Sequence, residues 1–238
     1  MIHHVVLVGG GVLGSQIAYQ SAYKGFHVVV YLRSEASIGR AKPKFERLHA
    51  IYLEELNAAK SKGGPVSRGL LPTGQDASSA DFDKLLADAE NAYQSIRYET
   101  DLGEAVRGAD LVIEALAENP QDKIEFYTRL QEYLPAGAIL VTNSSTLLPS
   151  MLADSTGRPE RFLALHFANN IWRQNTAEVM PASRAAERPS LSKPTTISPH
   201  ASTRMPTVFP TGTSVFGVAA KTDVVRTAAS QRASRALF

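Results

Sequence analysis

The stretch "HHVVLVGGGVLGSQIAYQSAYKGFHVVVYL", residues 3–32, determines the fold of the first part of the chain. Its opening apolar run, Val5 to Val8, is typical of a buried parallel strand. After three glycines, small and apolar residues recur at helical spacing, and Gly25 is placed to end that helix. A second apolar run, Val28 to Leu32, predicts another buried strand. The order strand, glycines, helix, strand predicts a βαβ unit of a doubly wound α/β fold.

The glycines of this unit have the spacing Gly9-x-Gly11-x-x-Gly14. In a dinucleotide-binding turn the first glycine permits the tight turn, the second lets the backbone approach a pyrophosphate, and the third lets helix and strand pack closely. The helix that follows offers free N–H groups to the phosphates. The alternative is an α/β turn that merely tolerates glycines. Because the strands and the helix occur in the expected order, the stretch predicts a dinucleotide site.

The end of the second strand departs from the pattern expected for NAD. An Asp or Glu at this point holds the ribose hydroxyls of NAD, but the chain has Leu32, followed by Arg33 and Ser34. Leucine accepts no hydrogen bond, whereas arginine and serine suit a 2′-phosphate. Arg33 could instead stack on adenine or lie in solvent. The residues favour relaxed or NADP-tolerant specificity.

The chain continues in a βαβ rhythm up to about residue 180. We predict a helix over 38–56, with Pro43 at the start of a straighter segment, and a loop over 57–80 that is rich in Gly, Ser and Pro. Further strands are expected at 96–98 and 110–115, and then in "AILVTNSS" and "RFLALHFAN". This alternation predicts a Rossmann-like, mostly parallel sheet with helices on both faces.

Polar residues follow two of these strands, in "VTNSST" and "LHFAN". In open α/β sheets ligands gather at the carboxyl ends of the strands, so both clusters lie where a substrate would bind. His166 ends one strand, and Glu178 follows twelve residues later. A histidine can take a hydroxyl proton near neutral pH, and a carboxylate can fix its tautomer. A structural role for His166 remains the alternative on these residues alone.

Four ordered motifs give the first 180 residues a resemblance to a known family. They are "GGGVLG", "EALAENPQDK", "TNSST", and a His followed by Asn three residues on and Glu twelve residues on. The chain resembles the NAD-binding domain of the 3-hydroxyacyl-CoA dehydrogenases. The resemblance implies NAD-dependent oxidation of an L-3-hydroxyacyl-CoA in fatty acid metabolism, with NADP left open by Leu32 and Arg33. It also implies an acyl-CoA as the small-molecule substrate and a homodimer in the family.

The resemblance assigns roles to individual residues. His166 matches the general base, Glu178 the carboxylate that orients it, and Ser145 the serine that contacts the substrate oxygen. Three further residues match positions that contact the nicotinamide half of the cofactor: Glu118, Lys123 and Asn169. A strand-end cap for Ser145 and an exposed ion pair for Glu118 and Lys123 are the alternatives.

Two features of the motifs concern the substrate. The chain has "HFANN" where the family more often has "HFFNP", which indicates a divergent branch of unknown acyl preference. A basic stretch, Arg40 to Arg47, together with Lys60, Lys62 and Arg68, is placed to face the phosphates of coenzyme A, although charge runs are usually solvated faces.

Composition changes at Met180. Residues 181–238 hold eight Lys and Arg against one Glu and one Asp, with eight Ser, eight Thr and six Pro. Such a segment buries too little apolar area to order itself, so we predict a domain over 1–180 and a largely irregular tail over 181–238. The tail stands where the family has a helical dimerisation domain. A natural tail and a reading-frame slip both explain it, and the slip is favoured.

Bulk properties exclude several classes of function. The 238-residue chain has a net charge of +2, too small to indicate a nucleic-acid partner, and no cysteine, so it can form no disulfide or thiolate metal site. No apolar run is long enough to span a membrane. We expect a cytoplasmic oxidoreductase without a metal, or, as the alternative, a truncated dinucleotide-binding module of weak or no activity.

Overall fold

A computed structural model describes residues 2–182 and 219–221. Parallel strands form most of its sheet, and the apolar runs read from the sequence lie at its centre. In the described part of the chain the strands are β1 (His4–Val8), β2 (His27–Tyr31), β3 (Arg97–Glu99), β4 (Leu111–Glu114), β5 (Ile139–Thr142), β6 (Phe162–Phe167), β7 (Thr176–Pro181) and β8 (Ala219–Lys221). Their order across the sheet is β3-β2-β1-β4-β5-β6-β7-β8.

The sheet has one change of direction. Strands β1 to β6 run parallel to their neighbours, β7 is antiparallel to β6, and β8 is parallel to β7. The chain leaves β1 toward β2 and β3 on one side and then crosses to β4, β5 and β6 on the other. The sheet therefore reverses its strand order beside β1, the point where doubly wound folds bind their ligands.

Helices cover both faces of the sheet, as the sequence predicts. They are α1 (Val12–Tyr23), α2 (Glu35–Lys62), α3 (Phe82–Ser95), α4 (Leu102–Val106), α5 (Pro120–Leu130), α6 (Pro149–Leu152) and α7 (Ile171–Gln174), with short 3₁₀ turns at Arg68–Leu70, Ala153–Thr156 and Pro159–Arg161. One hydrophobic core joins α1, α2, α3 and α7 to the sheet, and a second core joins α4, α5 and α6 to its other face. The predicted fold class is confirmed.

Helix α2 is longer than the sequence pattern indicated. It begins at Glu35, where the Ser34 side chain accepts a hydrogen bond from the Ser37 N–H. It ends at Gly63, which has a left-handed φ of 61°, so the first six residues of the predicted loop are helical. Pro43 lies inside this helix, within the range over which the sequence predicts it. The predicted helix was too short because residues 57–62 carry few apolar side chains to mark a periodicity.

The predicted boundary at residue 180 lies within β7, which ends at Pro181. The structure describes Ala219–Lys221 of the predicted tail as a short strand beside β7. The prediction for the other residues of the tail, 183–218 and 222–238, lies outside the described residues. No helix in the described ranges is long and apolar enough to cross a membrane.

Candidate active site

The glycine-rich turn between β1 and α1 has the geometry that its spacing predicts. Gly9 has a φ of 108°, and a Cβ there would lie 2.7 Å from the Ala115 carbonyl oxygen. A Cβ on Gly14 would lie 2.5 Å from the Gly9 carbonyl oxygen. A Cβ on Gly11 would have no atom of the described chain within 4 Å. Gly9 and Gly14 are therefore needed by the fold, while Gly11 faces open space.

Helix α1 starts without a side-chain cap. Its N-cap, Gly11, has no side chain to accept a hydrogen bond, and its first turn has no acidic residue. Four other helices are capped instead by Ser34, Asp81, Asp101 and Asn119, whose side chains accept from N–H groups of the first turn. The N–H groups at the start of α1 remain available to an anion, which a positive helix end favours.

Leu32 and Arg33 follow the end of β2, where a dinucleotide fold binds the adenosine ribose. Leu32 is buried, and its side chain packs against the glycine-rich turn. A Cβ added to Gly10 would lie only 3.0 Å from Leu32 Cδ2. Arg33 is exposed, and its guanidinium pairs with none of the residues that the structure describes. Close by, the Arg40 guanidinium donates to the Ser37 hydroxyl at 2.8 Å. The strand end thus offers cations and hydroxyls but no carboxylate acceptor at position 32.

His166 is brought between Ser145 and Glu178. The antiparallel register of β6 and β7 sets His166 directly opposite Glu178, which explains their separation of twelve residues. His166 Nε2 lies 3.0 Å from Ser145 Oγ, and His166 Nδ1 lies 3.4 Å from Glu178 Oε2. The His166 side chain is 28% exposed, so a ligand can reach it. The imidazole therefore contacts a hydroxyl through one ring nitrogen and a carboxylate through the other.

Glu118 holds the turn that carries Ser145. Its carboxylate accepts hydrogen bonds from Ser144 Oγ at 2.5 Å, from Thr146 Oγ1 at 3.0 Å and from the Ser145 N–H at 3.2 Å. Partial burial acts to raise the pKa of Glu118, but these hydrogen bonds and the charge of Lys123 lower it below its ordinary value. Glu118 is thus held as an anion that fixes the "TNSST" turn beside His166.

Lys123 lies elsewhere than the resemblance implied. Its side chain has no exposed surface, and its Nζ donates to Glu114 Oε1 at 2.5 Å. Glu114 also accepts from Tyr127 Oη at 2.6 Å and Thr142 Oγ1 at 2.8 Å. In this structure Lys123 is the buried counter-ion of Glu114, below the "ENPQDK" turn, and it offers no surface for direct contact with a cofactor.

The loop after β6 holds Asn169 at the surface. This loop is anchored by Gln16, a residue that sequence reasoning missed, because Gln16 Oε1 accepts from the Asn170 and Ile171 N–H groups, at 2.8 and 3.4 Å. Asn143, inside the quoted "TNSST" motif, accepts from the Phe167 N–H at 2.9 Å. Only the position of Asn143 in that motif could have signalled its role. Among the described residues no group of three His, Asp or Glu is placed to hold a metal ion.

An open parallel sheet, an uncapped glycine-rich helix start and a Ser–His–Glu line at the same edge of the sheet define a dinucleotide-binding protein of the dehydrogenase class. A family model narrows the class. The model described as "3-hydroxyacyl-CoA dehydrogenase, NAD binding domain" matches residues 4–190, so the chain belongs to this family.

Several known proteins are similar to this chain. A mitochondrial hydroxyacyl-coenzyme A dehydrogenase of Sus scrofa is 28% identical over 188 residues, which are 79% of this chain and 53% of that protein. A solved diketoreductase, described as acting on dicarbonyl compounds, is 46% identical with a TM-score of 0.60 over 75% of this chain and 54% of its own. The solved 3-hydroxybutyryl-CoA dehydrogenase of Escherichia coli K12 is 27% identical, with a TM-score of 0.57 over 75% of this chain and 32% of its own. The chain spans about half the length of the first two.

Proposed function

We propose that this protein interconverts a 3-hydroxy and a 3-oxo acyl compound, with a nicotinamide cofactor as the hydride carrier. The observation that carries the proposal is His166, held between Ser145 and Glu178 at the edge of the sheet where the glycine-rich turn lies. Family membership supports it. We infer that the substrate is an L-3-hydroxyacyl-CoA of fatty acid metabolism, and this is supported by two relatives whose names include hydroxyacyl-coenzyme A and 3-hydroxybutyryl-CoA.

The geometry fits a proton transfer at His166 Nε2. Because Nδ1 faces the Glu178 carboxylate, the tautomer with a proton on Nδ1 is favoured, and Nε2 is left as an acceptor. Nε2 then takes the proton of the 3-hydroxyl group, while Glu178 stabilises the imidazolium that forms. The Ser145 hydroxyl, 3.0 Å from Nε2, is placed to hold the same substrate oxygen.

The cofactor supplies hydride transfer, and the chain supplies binding and alignment. Gly11 and the free N–H groups of α1 would hold the pyrophosphate. We propose that Glu118 and Asn169 border the nicotinamide half, with Glu118 acting mainly through its hold on Ser145. Lys123 would contribute indirectly, by fixing Glu114 beneath them.

The test of the reaction is His166→Gln. We expect turnover of acetoacetyl-CoA with NADH to fall about 10²–10⁴-fold, the usual contribution of a positioned base, while NADH affinity stays constant. His49→Gln is the matched control, because His49 lies away from the site and pairs with Glu90. Near-normal turnover in His166→Gln would contradict the proposed base. NADH binding without turnover in the unaltered chain would support the alternative, a non-catalytic dinucleotide-binding module.

Cofactor choice is proposed from the end of β2. Buried Leu32 provides no acceptor for ribose hydroxyls, and exposed Arg33 would supply a cation for a 2′-phosphate. We expect NADP(H) to bind no more than about tenfold more weakly than NAD(H), a gap of about 1.4 kcal/mol. Arg33→Ala should weaken NADP(H) only, whereas Arg107→Ala, on the opposite face of the sheet, should change neither. A thousandfold preference for NAD(H), measured by calorimetry, would contradict the proposal.

A second candidate function is reduction of a dicarbonyl compound that carries no coenzyme A. The observation that favours it is the 46% identity to the solved diketoreductase, against 27% to the solved 3-hydroxybutyryl-CoA dehydrogenase. The chemistry at His166 would be the same. The two candidates differ in what binds the substrate end remote from the reacting carbon.

A further inference from the structure

A cavity of about 1030 Å³ lies on the face of the sheet that α1, α2 and α7 cover. Its wall includes the first turn of α1, from Val12 to Gln16, and Asn170 of the loop after β6. It therefore adjoins both the proposed pyrophosphate site and the loop that follows His166. A space of this size can hold a small-molecule ligand.

Helix α2 forms one wall of the cavity, with basic residues at one end and acidic residues at the other. Lys44 and Arg47 lie at the end nearer the helix start, and Glu54 and Glu55 lie about two turns further on. Leu48 and Ile51 separate the two ends with apolar surface. The Glu55 carboxylate is held in place because it accepts from the Ser67 N–H at 2.5 Å.

The cavity is nearly balanced in charge. Lys44 and Arg47, together with Arg173 of α7, give it three cations against the two carboxylates of Glu54 and Glu55, a surplus of one positive charge. A monoanion neutralises this surplus. A ligand with several phosphate charges, such as coenzyme A, would bring excess negative charge beside two carboxylates, and like charges repel.

The other basic residues expected to face coenzyme A do not add to this surplus. Lys60 pairs with Asp83 at the surface, and Arg40 donates to Ser37. Lys62 and Arg68 are not among the residues that line the cavity. The basic run that the sequence shows is therefore dispersed in the fold.

One residue of the wall has a donor that is not used within the described chain. The indole N–H of Trp172 also lacks a hydrogen-bond partner among the described residues, but that nitrogen has no accessible surface, so a ligand in the cavity does not reach it. The Gln16 oxygen already accepts two backbone N–H groups, so its NH₂ is the group left to donate. Arg173 lies over the Trp172 ring at 5.9 Å. This wall therefore suits a ligand that carries acceptor oxygens.

We propose that this cavity binds a small organic monoanion, a free oxo or hydroxy carboxylic acid. Its carboxylate lies among Lys44, Arg47 and Arg173, and its carbonyl or hydroxyl oxygen accepts from the Gln16 NH₂ group. This refines the substrate class of the 3-hydroxy/3-oxo chemistry proposed above and rests on that proposal for its link to turnover. The binding site itself is independent of turnover.

Trp172 lines the cavity and is the only tryptophan of the chain, so it serves as an intrinsic fluorescence probe of binding there. Its fluorescence is recorded during titration with acetoacetate, 4-oxopentanoate and coenzyme A. We expect a saturable change with both oxo acids and a weaker one, or none, with coenzyme A. A saturable change with coenzyme A alone would overturn the proposal, and so would a flat response to all three ligands.

Variants locate the binding. Arg47→Gln should weaken oxo-acid binding by roughly tenfold or more, as expected for the loss of a charged hydrogen bond. Glu54→Gln should strengthen coenzyme A binding, because it removes one of the opposing charges. Arg107→Gln is the distant control and should change nothing. Equal oxo-acid binding in Arg47→Gln and Arg107→Gln would overturn the assignment.

Failure of this inference differs from failure of the proposed reaction. If the oxo acids bind at Trp172 but no 3-oxo compound is reduced, the binding site stands and the reaction is wrong. If acetoacetyl-CoA is reduced in a His166-dependent manner while only coenzyme A perturbs Trp172, the reaction stands and the monoanion site is wrong.

Discussion

At the scale of residues, the candidate site depends on a few close approaches that leave little freedom. Glu178 reaches His166 only because the register of β6 and β7 sets them opposite each other. Their separation of 3.4 Å is longer than the usual 2.7–3.2 Å of an N–H···O bond. The contact is therefore one that a bound substrate could tighten, since catalytic hydrogen bonds are often long in unliganded enzymes.

The glycines allow a matched test of fold against ligand binding. In Gly14→Ala the new Cβ would lie 2.5 Å from the Gly9 carbonyl oxygen, so we expect a loss of about 1–3 kcal/mol in the free energy of unfolding. In Gly11→Ala the new Cβ meets nothing within 4 Å, so stability should change by less than about 0.5 kcal/mol. NADH affinity should nevertheless fall in Gly11→Ala, because the methyl group takes the space that the pyrophosphate needs. Urea unfolding and calorimetry measure the two effects, and unchanged NADH affinity in Gly11→Ala would contradict the dinucleotide assignment.

At the scale of elements, the junction of β4 and α5 is held by the buried pair Glu114 and Lys123. Removing one partner of a buried pair typically costs about 3–5 kcal/mol, because the other charge stays buried. We therefore expect Glu114→Gln and Lys123→Met each to destabilise strongly, and the double variant to lose much less than the sum. Urea unfolding of all four proteins gives the coupling free energy. The surface pair Lys84 and Asp88 is the control, and its coupling free energy should be at most about 0.5 kcal/mol. Additive losses in the free energy of unfolding for the Glu114 and Lys123 variants would contradict the buried-pair account.

The same junction shows how far the sequence could predict the site. The strands, the glycine turn and the His166–Glu178 separation follow from local patterns, and the structure agrees with them. The burial of Lys123 does not follow, because "ENPQDK" has the same letters whether its lysine is exposed or lies against Glu114. The contacts of Glu118 with the "TNSST" turn also escape local reasoning, since they join residues about 26 positions apart. Such contacts depend on which strands are neighbours, which periodicity does not reveal.

At the scale of the whole molecule, the parallel sheet brings separate motifs to one edge. Strands β1, β4, β5 and β6 are consecutive neighbours, and their carboxyl ends carry the glycine turn, Glu118, Ser145 and His166. Ligands of doubly wound folds gather at this edge. A cofactor that extends from β1 toward β6 would therefore pass each of these groups in turn.

The two hydrophobic cores lead to a prediction about the chain as a whole. Both cores are built from residues of β1 to β7 and the helices and loops between them, together with Ile2 and Ala182. A chain shortened to residues 1–182 should therefore fold and bind NADH with an affinity within about threefold of that of the 238-residue chain. It would lose the pairing of β8 with β7, which includes Glu178 opposite Lys221, so its melting temperature should fall by only a few degrees, about the effect of 1 kcal/mol.

A second shortened chain makes this a sharp comparison. Ending the chain at Asn170 would remove β7, and with it Val179 of the first core and Ala182 of the second. That chain should unfold cooperatively only at a much lower temperature, or not at all, because it exposes one side of β6. Thermal unfolding followed by circular dichroism, with NADH binding by calorimetry, distinguishes the two chains. Loss of folding or of NADH binding in the 1–182 chain would show that residues beyond 182 contribute to the cores, and the predicted domain boundary near residue 180 would then be wrong.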